Sequence, residues 1–166
     1  MGLRALNWIL LLLLAAAALF VCVSTQVLPD TVASHFGAGG YANGFMSRAG
    51  YLRFMLVFVV LLPLGMVLLI DGVLRIRSVP INVPNAGYWL APERRAYTVT
   101  LVRRQMRIFA CLLVLFLCYV HWLVVRAHEL SPPMLDQRLF TIGIGLFMLG
   151  AVSWIVLLRR SFRQPA

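Results

Sequence analysis

The stretch "LNWILLLLLAAAALFVCVSTQVL", residues 6–28, is an almost unbroken apolar run that predicts a membrane-spanning helix. A helix needs about 20 mostly apolar residues to cross the roughly 30 Å hydrocarbon core of a bilayer. Three more segments meet this requirement, at about 54–74, 108–125 and 139–158. The sequence therefore predicts four spans, with outer loops at about 29–53 and 126–138 and a cytoplasmic loop at about 75–107.

The composition agrees with an integral membrane protein. Of the 166 residues, 62% are hydrophobic and 12% are charged, whereas an ordinary soluble domain has roughly half apolar and a quarter charged residues. All 15 basic residues are arginine and the net charge is +10. Arginines beside membrane spans orient a chain and contact anionic lipid headgroups, so we expect an anionic bilayer as partner. We expect no nucleic-acid partner, because the arginines do not lie on a soluble motif with base-stacking aromatic residues.

The arginines are divided unequally between the two sides of the predicted spans. One side holds four: Arg48, Arg53, Arg126 and Arg138. The other side holds eleven: Arg4, Arg75, Arg77, Arg94, Arg95, Arg103, Arg104, Arg107, Arg159, Arg160 and Arg163. Because arginine-rich loops stay in the cytoplasm, the sequence predicts that both termini and the central loop are cytoplasmic and that residues 29–53 face outward.

The first span has an alternative interpretation as a cleaved signal peptide, with Arg4 as its charged start. Its apolar run is long for a signal peptide, and no convincing small-x-small cleavage site follows that run before Pro29. We therefore keep it as a true span.

The central segment is predicted to contain an amphipathic helix that begins at Pro92, because proline suits the first helical turn. Val99 and Met106 recur at helical spacing, while Arg95 and Arg103 lie elsewhere on the helix surface. Such an arginine-rich helix is typical of the headgroup region, and we expect it to continue into the third span. The resulting fold class is all-α: one domain, 1–166, forming an antiparallel four-helix transmembrane bundle with an outer glycine-rich loop.

Asp71 lies at the cytoplasmic end of the second span, and ionisable groups in membrane spans are candidate functional residues. Arg75 follows four residues later, a helical spacing that suits an ion pair. We predict a local pair with Arg75 or Arg77, with a proton or ion relay as the alternative. A candidate cytoplasmic interface comprises Asp71, Arg75, Trp89, Arg94 and Arg95.

Three histidines suggest a second candidate site on the outer side. His121 and His128 are seven residues apart, so they share a helix face, and His35 and Glu129 lie in the predicted outer loops. These four side chains are suitable ligands for Zn²⁺ or Cu²⁺. Their spacing matches no metal motif, so interfacial or hydrogen-bonded histidines are the preferred interpretation and no cofactor is expected.

No catalytic set is predicted. Ser34 and His35 are adjacent in sequence, a geometry that seldom aligns a nucleophile with its base. The three cysteines lie inside apolar runs and have no CxxC spacing, so neither a zinc site nor a disulfide is indicated. The glycines after Phe36 are typical of a turn, since glycine tolerates positive φ.

The stretch "LPDTVASHFGAGGYANGFMSR", residues 28–48, resembles the signature of a bacterial membrane domain of unknown function, number 1648, which also occurs at the start of sporulation-delaying-toxin immunity proteins. The shared positions are Leu28, Pro29, Val32, His35, Phe36, Gly40, Gly44, Ser47 and Arg48. The resemblance implies a bacterial inner-membrane protein.

The leading hypothesis is a non-catalytic, immunity-like or interaction protein. Its outer loop, represented by Pro29, His35, Phe36, Gly40, Gly44 and Arg48, packs over the bundle and contacts a protein partner or a second copy of the chain. The rival hypothesis is a small transporter or channel subunit, with Asp71 and His121 beside a polar path.

Overall fold

The computed structural model describes residues 2–76 and 81–163, so Arg77, one of the two predicted partners of Asp71, lies outside the described residues. Four described helices are long and apolar enough to cross a membrane. The elements in chain order are the first long helix (Leu3–Ser24), a 3₁₀ turn (Thr25–Val27), strands β1 (Thr31–Phe36) and β2 (Ala42–Ser47), the second long helix (Arg48–Val73), a short helix (Ala86–Trp89), the third long helix (Pro92–Ala127) and the fourth long helix (Gln137–Ser161).

The predicted outer loop is in fact a β-hairpin followed by the start of a helix, so the expectation of a wholly helical chain is wrong there. β1 and β2 pair antiparallel, from Thr31 opposite Ser47 to Phe36 opposite Ala42, with irregular register on both sides of His35. The second long helix begins at Arg48, six residues before the predicted span, because Ser47 Oγ accepts a hydrogen bond from the Gly50 amide at 3.1 Å.

The second long helix contains a π-helical segment at Val57–Leu61, where the Leu62 amide bonds to the Val57 carbonyl. Pro63 lies two residues after this segment, and its lack of an N–H removes a regular i→i−4 bond while its ring clashes with the carbonyl four residues earlier. A widened turn accommodates this clash without ending the helix. The helix therefore continues to Val73 as one membrane-length element.

The third long helix is the centre of the fold. It begins at Pro92 and continues to Ala127, which confirms that the amphipathic segment runs into the third span. The first and second long helices pack against it, and the fourth packs on it as well. The shared core lies between the first three helices and includes Leu14, Val21, Val59 and Val114.

The fourth long helix is attached differently from the others. Its N-terminus is capped by Asp136, whose carboxylate accepts hydrogen bonds from the amides of Arg138 and Leu139, both at 3.0 Å. Gly143 is its only buried residue within the described part of the chain. A side chain there would overlap the Tyr119 ring of the third helix. Many of its other apolar residues, among them Leu146 and Leu149, are exposed.

Candidate functional site

The β-hairpin is joined to the membrane helices at its base. Arg48, which starts the second helix, donates from its amide to the Asp30 carbonyl at 2.8 Å and from Nη1 to the Leu28 carbonyl at 3.0 Å. Its guanidinium also pairs with the Asp30 carboxylate at 3.0 Å. Arg48 thus links the start of the second helix to the segment that follows the first helix, next to the exposed Pro29. Its part in the predicted site is to position the hairpin.

The tip of the hairpin is held by the second outer loop. Gly40 has φ +81, and a Cβ added there would lie 2.7 Å from the Leu135 carbonyl. The Leu135 amide donates to the Gly40 carbonyl at 2.8 Å, and the Ala42 amide donates to the Pro133 carbonyl at 3.2 Å. Glycine is therefore required at position 40 both by the left-handed backbone and by the close approach of another chain segment.

His128 connects the hairpin to the third long helix. Its Nδ1 lies 2.8 Å from the Val124 carbonyl, so this nitrogen carries the proton. Its Nε2 therefore accepts the hydrogen bond from the Ala33 amide of β1, at 3.0 Å. Both ring nitrogens are engaged in holding β1 against the end of the helix.

His35 and Gly44 face each other across the hairpin. His35 is exposed, and its Nδ1 lies 2.5 Å from Asn43 Oδ1 on β2. A Cβ at Gly44 would approach the His35 Cβ to 3.0 Å, so the opposite position favours glycine. Phe36 is half-buried and packs against the core of the first three helices. Of the signature residues, Phe36 and the glycines are thus structural, while His35 lies on the surface.

Sequence analysis missed two exposed aromatic residues on the hairpin. Tyr41 is 58% exposed and Phe45 is 54% exposed. Along β2 the exposed residues Asn43 and Phe45 alternate with the half-buried Gly44 and Met46, as expected for a strand with one solvent face. This alternation is the sequence pattern that could have predicted the strand. It is weak here because glycine and asparagine are depleted in strands.

His121 forms a buried polar cluster between three helices. Its Nε2 lies 2.7 Å from Ser24 Oγ of the first helix, and its Nδ1 lies 2.8 Å from the Tyr51 hydroxyl of the second. Ser24 donates its single hydroxyl proton to the Phe20 carbonyl at 2.5 Å, so it accepts from His121 Nε2. Nδ1 then accepts from Tyr51. In this arrangement the imidazole lone pair points toward Tyr51, and Ser24 has no base to activate it.

The four predicted metal ligands do not converge. His121 bonds to Ser24 and Tyr51, His128 bonds to backbone atoms, and His35 bonds to Asn43, while Glu129 is exposed. Across residues 2–76 and 81–163, the structure brings no three histidine, cysteine or acidic side chains into a group that could hold a metal ion. The histidines serve instead as hydrogen-bonding partners between elements.

Asp71 forms a second buried polar cluster at the arginine-rich end of the helices. Its carboxylate accepts from Arg107 Nη2 at 2.6 Å and from Nη1 at 3.2 Å, and Arg103 Nε lies 3.4 Å away. Arg107 is buried, and its Nε also donates to Asn7 Oδ1 at 2.5 Å. The predicted local pair is wrong for Arg75, which is exposed. The cluster joins the first, second and third helices.

The two buried clusters are separated by apolar packing. His121 lies fourteen residues beyond Arg107 on the third helix, about 21 Å along the helix axis at 1.5 Å per residue. Between them the core consists of residues such as Ala17, Val59 and Val114. Within the described residues, apolar side chains therefore lie between Asp71 and His121, the two residues that the transporter hypothesis places beside one polar path.

The remaining members of the predicted cytoplasmic interface surround the start of the third helix. Trp89 Nε1 donates to the Phe162 carbonyl at 2.9 Å, which ties the short helix to the end of the fourth long helix. The Arg94 guanidinium lies 3.9 Å from the centre of the Tyr88 ring, a cation–π contact. Arg95 is half-buried. Trp89 and Arg94 thus make contacts at the short helix, whereas Asp71 pairs with Arg103 and Arg107.

Comparison with known families identifies the segment that contains the hairpin. Residues 11–67 match the family described as a domain of unknown function, DUF1648. This chain carries a DUF1648 domain. The match extends from the first long helix through the hairpin into the second long helix, so the DUF1648 segment contains Gly40 and Tyr51, whereas their partners Leu135 and His121 lie beyond it. No curated protein and no solved structure matches the chain significantly.

Proposed function

We propose that this DUF1648 protein is a non-catalytic membrane protein of the interaction or immunity-like type, and that its β-hairpin binds a protein partner outside the membrane. The observation that carries the proposal is a hairpin held on two sides. His128 anchors β1, and the 133–135 segment holds the tip through Gly40 and Ala42. A binding element that is already ordered loses little conformational entropy on association, which favours affinity.

The outward side of the hairpin has the chemistry of a recognition surface. Tyr41 and Phe45 are exposed, and the His35–Asn43 pair beside them offers polar groups. Aromatic residues are enriched in protein interfaces relative to the rest of the surface. Burying both rings against a partner would remove a large apolar area from water.

The non-catalytic part of the proposal is supported by the hydrogen-bond order around His121. The Ser24 hydroxyl donates to its own helix, and the imidazole lone pair is used by Tyr51. The polar group therefore stabilises three helices rather than activating a nucleophile.

We further propose that the four long helices cross a bacterial cytoplasmic membrane in alternating directions, with both termini inside and the hairpin outside. The eleven-to-four division of the arginines supports this orientation. The inner arginines would then contact anionic lipid headgroups. A second copy of the chain remains the alternative partner for the hairpin.

Site-specific photo-crosslinking tests the partner. A photoreactive phenylalanine analogue at position 45 is expected to give a discrete protein adduct in native membranes, and Tyr41→Ala should reduce its yield several-fold. The same analogue at Leu12, which is 68% exposed on the first helix, is the matched control and should give no protein adduct.

The mass of the adduct separates the outcomes. An adduct with a different protein supports the proposal. An adduct of twice the chain mass would instead identify a second copy of the chain as the partner. If position 45 behaves like position 12, the hairpin is not a recognition element.

A further inference from the structure

A cavity of about 550 Å³ lies at the arginine-rich end of the molecule, between the second, third and fourth long helices. The second and fourth helices both pack against the third. The space between them is closed on one side by residues 81–84 and by Phe162. Its volume falls in the range of about 300–1,000 Å³ that is typical of small-molecule sites.

The cavity has apolar walls and a few polar groups. Ile70, Val102 and Leu158 represent the walls contributed by the three helices. Asn82, Gln105 and Arg159 are the polar side chains among its lining residues. The Gln105 carbonyl accepts a hydrogen bond from Trp154 Nε1 at 2.9 Å, which fixes the third and fourth helices beside the cavity. Such a lining suits a molecule with a long apolar part and a polar end.

The apolar walls continue into the lipid-facing surface of the helices. Leu69 on the second helix is 66% exposed, and Val152 and Ile155 on the fourth are also exposed. Both helices are long and apolar enough to cross a membrane. An acyl chain of the surrounding bilayer can therefore enter from the side without crossing water.

The charge at the rim favours an anion. Arg159 is exposed, and no described carboxylate lies within ion-pair distance of it. Asp71 is engaged by Arg103 and Arg107 and is not free to neutralise other cations at this end. Basic pockets between transmembrane helices are a recurrent means of binding anionic lipid headgroups.

We propose that this cavity binds one anionic phospholipid from the leaflet at the arginine-rich end. One acyl chain occupies the space between the second and fourth helices. The phosphate pairs with Arg159, and the Gln105 and Asn82 side chains offer hydrogen bonds to the headgroup. The bound lipid thereby fills the gap between two helices that otherwise meet only through the third.

Native mass spectrometry of the protein, released from bilayers that contain equal amounts of phosphatidylglycerol and phosphatidylcholine, tests the proposal. We expect one retained phosphatidylglycerol per chain. Arg159→Gln should lower its retention about fivefold, the factor that corresponds to about 1 kcal/mol per basic residue near a charged membrane surface. Arg160→Gln, one residue further on the same helix and outside the cavity lining, is the matched control and should retain the lipid.

A second variant tests the cavity itself. Ile155→Phe enlarges a wall residue that is already partly exposed, so folding should be preserved, and the retained phosphatidylglycerol should be lost. Equal retention of the two lipids, an equal effect of Arg159→Gln and Arg160→Gln, or a bound free fatty acid in place of the phospholipid would each overturn the proposal.

Discussion

Asp71 shows what sequence spacing can and cannot predict for a single residue. An acidic residue at the end of a span indicated an ion pair, and the ion pair exists, but with Arg107 and Arg103 of another helix. Arg75 is unsuitable because the helix ends at Val73 and the chain turns through Leu74, so helical i,i+4 geometry is lost. Arg107 is 36 residues away, a distance in sequence that no local pattern can bridge.

Removing the Asp71 charge should destabilise the protein strongly. Asp71→Asn leaves the buried Arg107 guanidinium without its carboxylate, and breaking a buried ion pair from one side typically costs about 3–5 kcal/mol. We expect a clear fall in the thermal unfolding midpoint in detergent, measured by circular dichroism.

Two further variants test the cause of that destabilisation. Asp30→Asn removes an exposed ion pair with Arg48 and should change the midpoint little, because exposed pairs contribute little to stability. The double variant Asp71→Leu with Arg107→Met removes both charges and should recover part of the loss. A double variant as unstable as Asp71→Asn alone would show that the charge is not the cause.

His121 was recognised as unusual because ionisable residues in spans are costly. Its actual partners, Tyr51 and Ser24, are 70 and 97 residues away in sequence. A metal site was the alternative interpretation because the sequence does not show which histidines lie close together in the folded protein. Their separation follows from the packing of three helices, which places each ring beside a different acceptor or donor.

The β-hairpin is the element that the sequence described least well. The glycines correctly indicated a turn, and Gly40 has the positive φ that this interpretation requires. The strands were not predicted, because β2 contains asparagine and glycine and lacks β-branched residues. The pairing is supported instead by contacts from His128 and residues 133–135, which belong to distant parts of the chain.

The docking of the hairpin should depend on Gly40. Gly40→Ala places a Cβ against the Leu135 carbonyl and forces a left-handed conformation, which costs about 1–2 kcal/mol for a residue with a side chain. We expect faster hydrogen exchange of the β2 amides and faster proteolysis of the hairpin, while the helices remain intact.

The neighbouring glycine provides the matched control. A Cβ at Gly39 would make its closest contact, 3.4 Å, with the Tyr41 ring, and its backbone needs no positive φ. Gly39→Ala should therefore leave exchange and proteolysis unchanged. Equal effects of the two substitutions would mean that general flexibility, rather than docking, controls the hairpin.

At the scale of the whole molecule, the four membrane-length helices were predictable because each requires only a long apolar run. Their packing was not, because helices that are apolar on all sides do not reveal which face meets a neighbour. The fourth helix illustrates this. It is apolar enough to cross a membrane, but its sequence does not indicate that Gly143 would be its single described buried residue.

The proposed orientation predicts a specific labelling pattern. In a variant without the three native cysteines, Ala38→Cys in the hairpin should react with a membrane-impermeant maleimide in intact bacterial cells. Ala96→Cys, at an exposed alanine of the third helix, should react only after the cells are permeabilised. The reverse pattern would invert the orientation, and reaction of both positions in intact cells would contradict four spans.

The anchoring of the hairpin by distant residues also has a consequence for how the protein is made. Ala33 and its partner His128 are 95 residues apart. At a synthesis rate of about 5–20 residues per second, the hairpin waits roughly 5–20 seconds after it is translated before the ribosome reaches its anchor. During that interval the hairpin of the nascent chain lacks its contacts with His128 and with residues 133–135, so its docking is completed only after the third long helix has been made.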